Sequence, residues 1–169
     1  IFSLEEKVCE SFPEFTGMRE IVPTANELIA DSADNASRGQ CDAGAVTWYH
    51  VLTHTSGMGW IAMNKRPSLE AALHEILTMP FAYATGSTVL YTDMGLILLG
   101  RAMERRAGMP LDQLVDRLVC KPLNLTRTGY LRNSAQLDRS NVAPTEYCPW
   151  RGVRVCGHVH DENAYMLDG

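Results

Sequence analysis

The sequence of 169 residues is 46% hydrophobic and 21% charged, a composition typical of a globular domain with one buried core. Its formal net charge is −5, and its 15 lysines and arginines are scattered along the chain, which argues against a nucleic-acid-binding surface. No apolar run approaches the roughly 20 residues that a membrane-spanning helix needs, so neither nucleic acid nor a membrane span is expected.

The first residues, 1–8, combine apolar and charged side chains in the manner of an amphipathic helix. Neither an initiator methionine nor a signal peptide begins the sequence. We therefore expect the chain to be a fragment of a longer protein. The following stretch, residues 18–45, is rich in Asp, Asn, Ala, Ser and Gly, which predicts an exposed insertion loop.

Helical patterns dominate the middle of the chain. Ser68 begins a capped segment with one apolar face, and Pro80 stops it. From residue 92 to residue 106 apolar side chains nearly encircle the axis, which predicts a buried central helix ended by Gly108. Pro110 then opens a further helix with apolar spacing over residues 111–119. The pattern predicts a helical hairpin.

Beyond Tyr130 the prolines and glycines indicate loops with brief strands, such as residues 153–155. The five cysteines lack the C-x-x-C spacing of a zinc or redox site. Buried or idle thiols are the default interpretation. A disulfide between Cys148 and Cys156 is the alternative.

The first motif with chemical interest is L-T-H-T-S-G, at residues 52–57. Ser56 stands two residues after His54, which suggests a nucleophile and its base. However, side chains this close in a turn seldom align for proton transfer, and Ser56 lacks the G-x-S-x-G setting of a nucleophile elbow. A structural turn closed by Gly57 is the favoured interpretation.

The second motif is Y-T-D-M-G, at residues 91–95, where a loop enters the central helix. Tyr91 would lie near exposed backbone N–H groups and the positive end of the helix dipole. A phenol serves as a base at neutral pH only where cations or hydrogen bonds stabilise the phenolate. The structural alternative is that Thr92 caps the helix beside an ordinary core tyrosine.

Two further motifs follow. Residues 122–130 form a stop-and-turn sequence, for which we expect a structural role. Residues 143–146 and 157–164 bring many polar side chains into the last part of the chain. A metal site is one possibility there, although i, i+2 spacing on a loop is weak support for a ligand set. Its ligands would be His158, His160, Asp161 and Glu162.

The chain resembles the class C β-lactamase family, which also contains penicillin-binding proteins and esterases, in the order of five sequence patterns. These are L-T-H-T-S-G, Y-T-D-x-G-x-x-L-L-G, P-L-x-x-T-x-T-G-Y, A-P-T-E and G-x-V-H-D-E-N-A. The resemblance covers most of the chain outside residues 18–45 and is greatest to an esterase-like branch. It implies a mainly α chain, the helical lobe of the α+β β-lactamase/transpeptidase-like fold, with the sheet lobe largely missing. Residues 1–169 would then be a single partial domain.

The resemblance also implies roles for particular residues. In the family the serine of an S-x-x-K motif attacks the acyl group, and a tyrosine shares proton transfer with the lysine. Tyr91 matches that tyrosine. Asp93 stands where the better-known lactamases have Asn, and a carboxylate there would pair with the lysine or repel a phenolate, which makes ester hydrolysis more plausible than β-lactam hydrolysis. The implied substrate-binding residues are His160, Asp161 and Asn163, with loop hydrogen bonding as their ordinary alternative.

No S-x-x-K motif is present, because Lys7, Lys65 and Lys121 follow Leu4, Ala62 and Leu118 at the required distance. We therefore expect this chain alone to be inactive and the complete protein to be a serine hydrolase of small esters, amides or β-lactams, without a cofactor. Its expected partner is the remaining lobe of the parent protein or a second copy, since an exposed lobe surface favours association. A non-catalytic binding or scaffold domain with the same fold is the rival hypothesis. The sequence leaves the compartment open.

Overall fold

A computed structural model describes residues 2–22, 39–130 and 139–166. The chain divides into two compact units, one formed by Ile1–Ile61 and Glu70–Leu111 and the other by Ala62–Leu69 and Asp112–Gly169. The composition suggested one compact domain. Whether residues 1–169 form a single partial domain therefore stays a prediction.

Residues 2–7 form a turn followed by a β-bridge from Lys7 to Thr47, where the sequence predicted an amphipathic helix over residues 1–8. The backbone of this segment pairs with a later one: the Leu4 carbonyl accepts from Tyr49 N–H at 2.8 Å, and the Glu6 carbonyl accepts from Trp48 N–H at 3.1 Å. Helix α1 covers only Val8–Ser11. The helix prediction was wrong because tertiary pairing supplies the backbone hydrogen bonds that a local helix would have made.

A short antiparallel ribbon follows, in which strand β1, Met18–Glu20, pairs with strand β2, Gln40–Asp42. Both strands lie inside the segment for which we predicted an exposed insertion. That segment is not exposed throughout, because Arg19, Ile21 and Ala43 are buried. Residues 23–38, the centre of the predicted insertion, lie outside the described residues.

Arg19 anchors this ribbon to the end of a helix. Its guanidinium donates to the carbonyls of Leu77 and Met79 and lies 4.4 Å from the centre of the Phe15 ring. Burial lowers the pKa of Arg19. The arginine satisfies carbonyls that the end of helix α3, Leu69–Thr78, leaves without intrahelical partners.

The two helices predicted over residues 68–80 and 92–106 are present, and a short helix precedes them. Helix α2 covers Trp48–Leu52, α3 covers Leu69–Thr78, and α4 covers Met94–Ala107. Helix α4 ends where predicted, because Gly108 adopts the left-handed conformation at φ 63° and donates its N–H to the Glu104 carbonyl at 2.9 Å.

Helix α4 is buried along one stripe only, although its composition predicted burial on nearly all sides. The stripe packs against helix α2, and Gly95 makes the close approach possible. A Cβ atom at Gly95 would lie 2.9 Å from Val51 Cγ1 and 3.0 Å from Met58 Cε. Leu96, on another side of the helix, is 40% exposed. The stripe consists of Met94, Gly95, Leu98 and Ala102.

The core of the first unit is built from large side chains that come from helices and loops alike. These side chains are less than 2% exposed, and burying each of them contributes roughly 1.5–3 kcal/mol to folding. The largest are Trp48, Phe12, Phe15, Phe81, Met58 and Ile76.

The second unit contains short elements joined by turns. Helix α5, Leu111–Val115, continues as a π-helical turn over Asp116–Cys120, so the second helix of the predicted hairpin is present but changes its hydrogen-bond pattern midway. Strands β3, Tyr147–Cys148, and β4, Val153–Arg154, form the brief strands expected in this region. Helix α6, Glu162–Met166, closes the described part.

All five cysteines are free thiols, so Cys148 and Cys156 are not joined by a disulfide. In the residues that the structure describes, no helix has both the length and the apolar character to cross a membrane.

Candidate functional site

Tyr91 lies at the entrance to helix α4 and presents its side chain to solvent. It is 76% exposed, whereas the adjacent Thr92 is 4% exposed. The backbone therefore alternates from an exposed phenol to a buried hydroxyl just before the helix begins at Met94. The phenol of Tyr91 is therefore accessible to a molecule from outside the chain, while the backbone next to it is held in the buried core.

Thr92 fixes this entrance with its side chain. Its hydroxyl donates to the Gly59 carbonyl at 2.9 Å and accepts from Met94 N–H at 3.3 Å. The structural alternative for the second motif is thus half right: Thr92 caps the first turn of α4. Tyr91, however, is exposed and is not an ordinary core tyrosine.

Asp93 occupies the N-cap position of α4, and its carbonyl accepts from Ile97 N–H at 2.9 Å. A carboxylate here is stabilised by the positive end of the helix dipole. The structure thus places Tyr91 and Asp93 together at the N-terminal end of one helix.

His54 is a residue of this site that the sequence did not single out for a role beside Tyr91. Its ring centre lies 4.7 Å from that of Tyr91, and the two planes are tilted by 44°. The His54 backbone is left-handed, at φ 57°, and its carbonyl accepts from Leu90 N–H at 2.9 Å and from the Tyr83 hydroxyl at 3.0 Å. The only sequence signal was the position of His54 within the first motif.

Ser56 has a structural role in the same motif. It is 1% exposed, and its hydroxyl accepts from Met58 N–H at 3.3 Å. Its carbonyl accepts from Thr85 Oγ1 at 2.9 Å. Gly57 follows at φ 90°, where a Cβ atom would lie 2.5 Å from the Tyr83 carbonyl oxygen. The turn interpretation of this motif therefore fits the structure better than a nucleophile does.

The other predicted site residues lie in the second unit. His160 Nε2 lies 2.9 Å from Glu146 Oε1, so the A-P-T-E and V-H-D-E-N-A motifs meet through this pair. Asp161 Oδ1 accepts from Ala164 N–H at 2.7 Å and caps helix α6. Asn163 follows within the first turn of α6. The structure thus groups His160, Asp161 and Asn163 at the start of one short helix.

Arg151 fixes the segment that precedes helix α6, a role that no sequence pattern suggested. Its guanidinium donates to the carbonyls of Val159 and His160 and lies 4.6 Å from the centre of the Tyr165 ring. It also lies 4.9 Å from the centre of the Trp150 ring. Such contacts depend on a turn that brings residues 151 and 159–160 together, which periodicity does not encode.

The polar residues near the end of the chain were also considered as metal ligands. Among residues 2–22, 39–130 and 139–166, no group of three or more His, Cys, Asp or Glu side chains is arranged to hold a metal ion. His160 is instead engaged with Glu146, and Asp161 with the backbone of α6.

The sequence family follows from comparison with known proteins. The β-lactamase family model matches residues 2–157, so the chain belongs to the β-lactamase family. Esterase EstB of Burkholderia gladioli is 32% identical over 114 residues, which cover 57% of this chain and 28% of the esterase. An N-acetylmuramyl-L-alanine amidase of Bacillus subtilis is 34% identical over 108 residues, which cover 56% of this chain and 24% of the amidase. The chain therefore matches only about a quarter of the length of these relatives.

Comparison with solved structures shows which fold the chain shares. The octameric penicillin-binding protein homologue of Pyrococcus abyssi aligns with 92% of this chain and 33% of its own, with a TM-score of 0.57 and 17% identity. EstCE1, a hydrolase with promiscuous acyltransferase activity, aligns with 94% of this chain and 39% of its own, with a TM-score of 0.54 and 21% identity. These similarities show a β-lactamase-like fold.

Proposed function

We propose that the chain is the helical lobe of a serine acyl hydrolase whose S-x-x-K motif lies outside these 169 residues. Membership of the β-lactamase family supports a hydrolase. The relatives named an esterase and an amidase support esters and amides as substrate classes, with β-lactams as a third class. None of the three lysines has a serine three residues before it, which is why the nucleophile is assigned to another part of the protein.

The observation that carries the proposal is the exposed phenol of Tyr91 beside Thr92, which is buried and hydrogen-bonded. Proton transfer requires the phenolic oxygen to come within about 2.6–3.2 Å of the reacting group. A side chain that is 76% exposed leaves this oxygen accessible to a nucleophile and a substrate supplied from outside the chain. Tyr91 is thus proposed to move the proton between the serine hydroxyl and the leaving group.

Asp93 and the second-unit residues are given supporting roles. The Asp93 carboxylate is proposed to pair with the lysine of the S-x-x-K motif, since an ammonium ion is the natural partner of a carboxylate. His160, Asp161 and Asn163 are proposed to line the substrate cleft. The proposed macromolecular partner is the rest of the parent protein, the sheet lobe that would complete the cleft.

The test uses this chain extended by its flanking coding sequence, with the 169-residue chain beside it. Each is incubated with a fluorophosphonate and, separately, with a slow-turnover penicillin, and the intact mass is measured. The proposal expects a stoichiometric adduct on the extended protein only. An adduct on the 169-residue chain would place the nucleophile inside it, and no adduct on either would favour the non-catalytic scaffold.

The role of Tyr91 is tested in the extended protein by Tyr91→Phe. Loss of a general acid-base group lowers the acylation rate by about 10²–10⁴-fold. The control is Tyr49→Phe, because Tyr49 lies in helix α2 and is also exposed, at 49%. An unchanged acylation rate in Tyr91→Phe would contradict the proposed role of Tyr91.

A further inference from the structure

We infer that His54 is a positioning residue that fixes the orientation of the Tyr91 phenol. Three different parts of His54 contact three successive residues, the tyrosine and its two neighbours. Its catalytic consequence rests on the proposed function of Tyr91. The restriction of the Tyr91 side chain by His54 is independent of that proposed function.

The contacts bracket Tyr91 on both sides along the chain. The His54 carbonyl accepts from Leu90 N–H at 2.9 Å, and Nδ1 accepts from Thr92 N–H at 3.5 Å. The second bond is long and therefore weak, so the carbonyl bond and the ring contact provide most of the restraint.

The ring contact acts on Tyr91 itself. A centroid separation of 4.7 Å with a tilt of 44° lies within the range of favourable aromatic pairs. An exposed side chain otherwise exchanges rotamers within picoseconds to nanoseconds. Tyr91 is 76% exposed, so contact with the His54 ring restricts a side chain that would otherwise be surrounded by solvent.

The backbone of His54 adopts a left-handed conformation, which is energetically unfavourable for most residues. A left-handed residue other than glycine is uncommon, although histidine is enriched there relative to most residues. At φ 57° the His54 N–H still bonds to the Val51 carbonyl at the end of helix α2, while the His54 carbonyl serves both Leu90 and Tyr83. Backbone strain of this kind is concentrated at functional sites.

His50 provides an internal comparison. It lies in helix α2, just before His54, and also accepts a backbone hydrogen bond at Nδ1, from Thr47 N–H at 3.1 Å. Its ring packs against Tyr49. His50 therefore has a local structural role, and His54 acts on a residue far along the chain.

The experiment compares His54→Asn with His50→Gln. Asparagine tolerates the left-handed backbone and keeps the carbonyl, so His54→Asn removes chiefly the ring. His54→Gly is the second variant, because glycine adopts this conformation without strain. The 169-residue chain and the extended protein are both labelled at the tyrosine rings, the Tyr91 signal is assigned with Tyr91→Phe, and ring order is measured by NMR relaxation. Circular dichroism checks that each variant is folded.

The expected result is a rigid Tyr91 ring in the wild type and in His50→Gln, and an order parameter below about 0.6 in both His54 variants. In the extended protein the His54 variants should lower kcat by about 10–100-fold, since a misplacement of about 1 Å costs roughly 10²-fold. KM should stay within about twofold, because the contact acts on Tyr91 and not on the bound substrate.

Failure of this inference and failure of the proposed function give different results. An unchanged Tyr91 order parameter in both His54 variants would overturn the inference whatever the activity. Loss of ring order with an unchanged kcat, together with a fully active Tyr91→Phe protein, would retain His54 as the residue that orders Tyr91 and reject Tyr91 as the proton carrier. A mobile Tyr91 in the wild type would overturn the inference directly.

Discussion

The hydroxyl of Thr92 donates a hydrogen bond to the carbonyl of Gly59 at 2.9 Å. Together with the contacts of His54, this bond joins the two motifs that form the candidate site, since Gly59 follows the L-T-H-T-S-G turn and Thr92 follows Tyr91. Because both partners belong to a region that excludes water, the bond has no substitute from solvent. Thr92 thus connects the turn to helix α4 and fixes the backbone position from which the Tyr91 side chain extends.

Replacing Thr92 by Val should therefore destabilise the protein by about 1–3 kcal/mol, because the Gly59 carbonyl loses its donor and the first turn of α4 loses its cap. The free energy of unfolding in urea measures the effect. Thr88→Val is the matched control at an exposed position of the preceding loop, where a change within about 0.5 kcal/mol is expected. Equal losses in the two variants would contradict the role of Thr92.

The approach of helices α2 and α4 predicts opposite effects at two glycines of one helix. Gly95→Ala would force a Cβ atom to within 2.9 Å of Val51 Cγ1, and overpacking of this kind costs about 1–3 kcal/mol. At Gly100 the nearest atom to a Cβ, Leu111 Cδ2, is 3.7 Å away. Gly100→Ala should therefore stabilise the helix by up to about 1 kcal/mol. Thermal unfolding of both variants checks the predicted signs.

The pair of Glu6 and Arg106 predicts a pH dependence of stability. Hydrogen bonding from Arg106 lowers the pKa of Glu6 below its usual value of 4.5. A carboxyl whose pKa is lower in the folded state contributes stability above the unfolded pKa and loses it as the pH falls through the folded pKa. The wild type should thus lose more stability between about pH 5 and about pH 2 than Glu6→Gln does.

The control for this pH dependence is Glu5→Gln, next to Glu6 on the exposed side of the chain. The Glu5 variant should keep the acid-side loss of the wild type. Urea midpoints at a series of pH values give the comparison, and parallel curves for the wild type and Glu6→Gln would show that the pair contributes nothing.

Arg151 predicts the behaviour of the second unit. Arg151→Met removes donors to the carbonyls of Val159 and His160, and the loss of charge-assisted bonds of this kind costs about 1.5–3 kcal/mol. Hydrogen exchange should become faster over residues 157–161, and Trp150 fluorescence should change because the guanidinium leaves its ring. Arg154→Met, at an exposed position on strand β4, is expected to leave both signals unchanged.

The sequence alone determined the features that depend on neighbours along the chain. Helices α3 and α4 and the stop at Gly108 followed from caps, apolar spacing and the conformational freedom of glycine, all of which act within a few residues. The order of the motifs identified the family. The same local signals failed at residues 1–8, because their backbone partners lie in a later segment.

The tertiary structure decided which of these motifs act on one another. His54 and Thr92 are 38 residues apart, and no periodicity predicts that an imidazole in one turn packs on Tyr91 in another. The same holds for Arg19 at the end of α3 and for Arg151 beneath the last loop. Hydrogen bonds and ring contacts of this kind form only where the packed core brings distant backbone segments together, because their energies are too small to order the chain by themselves.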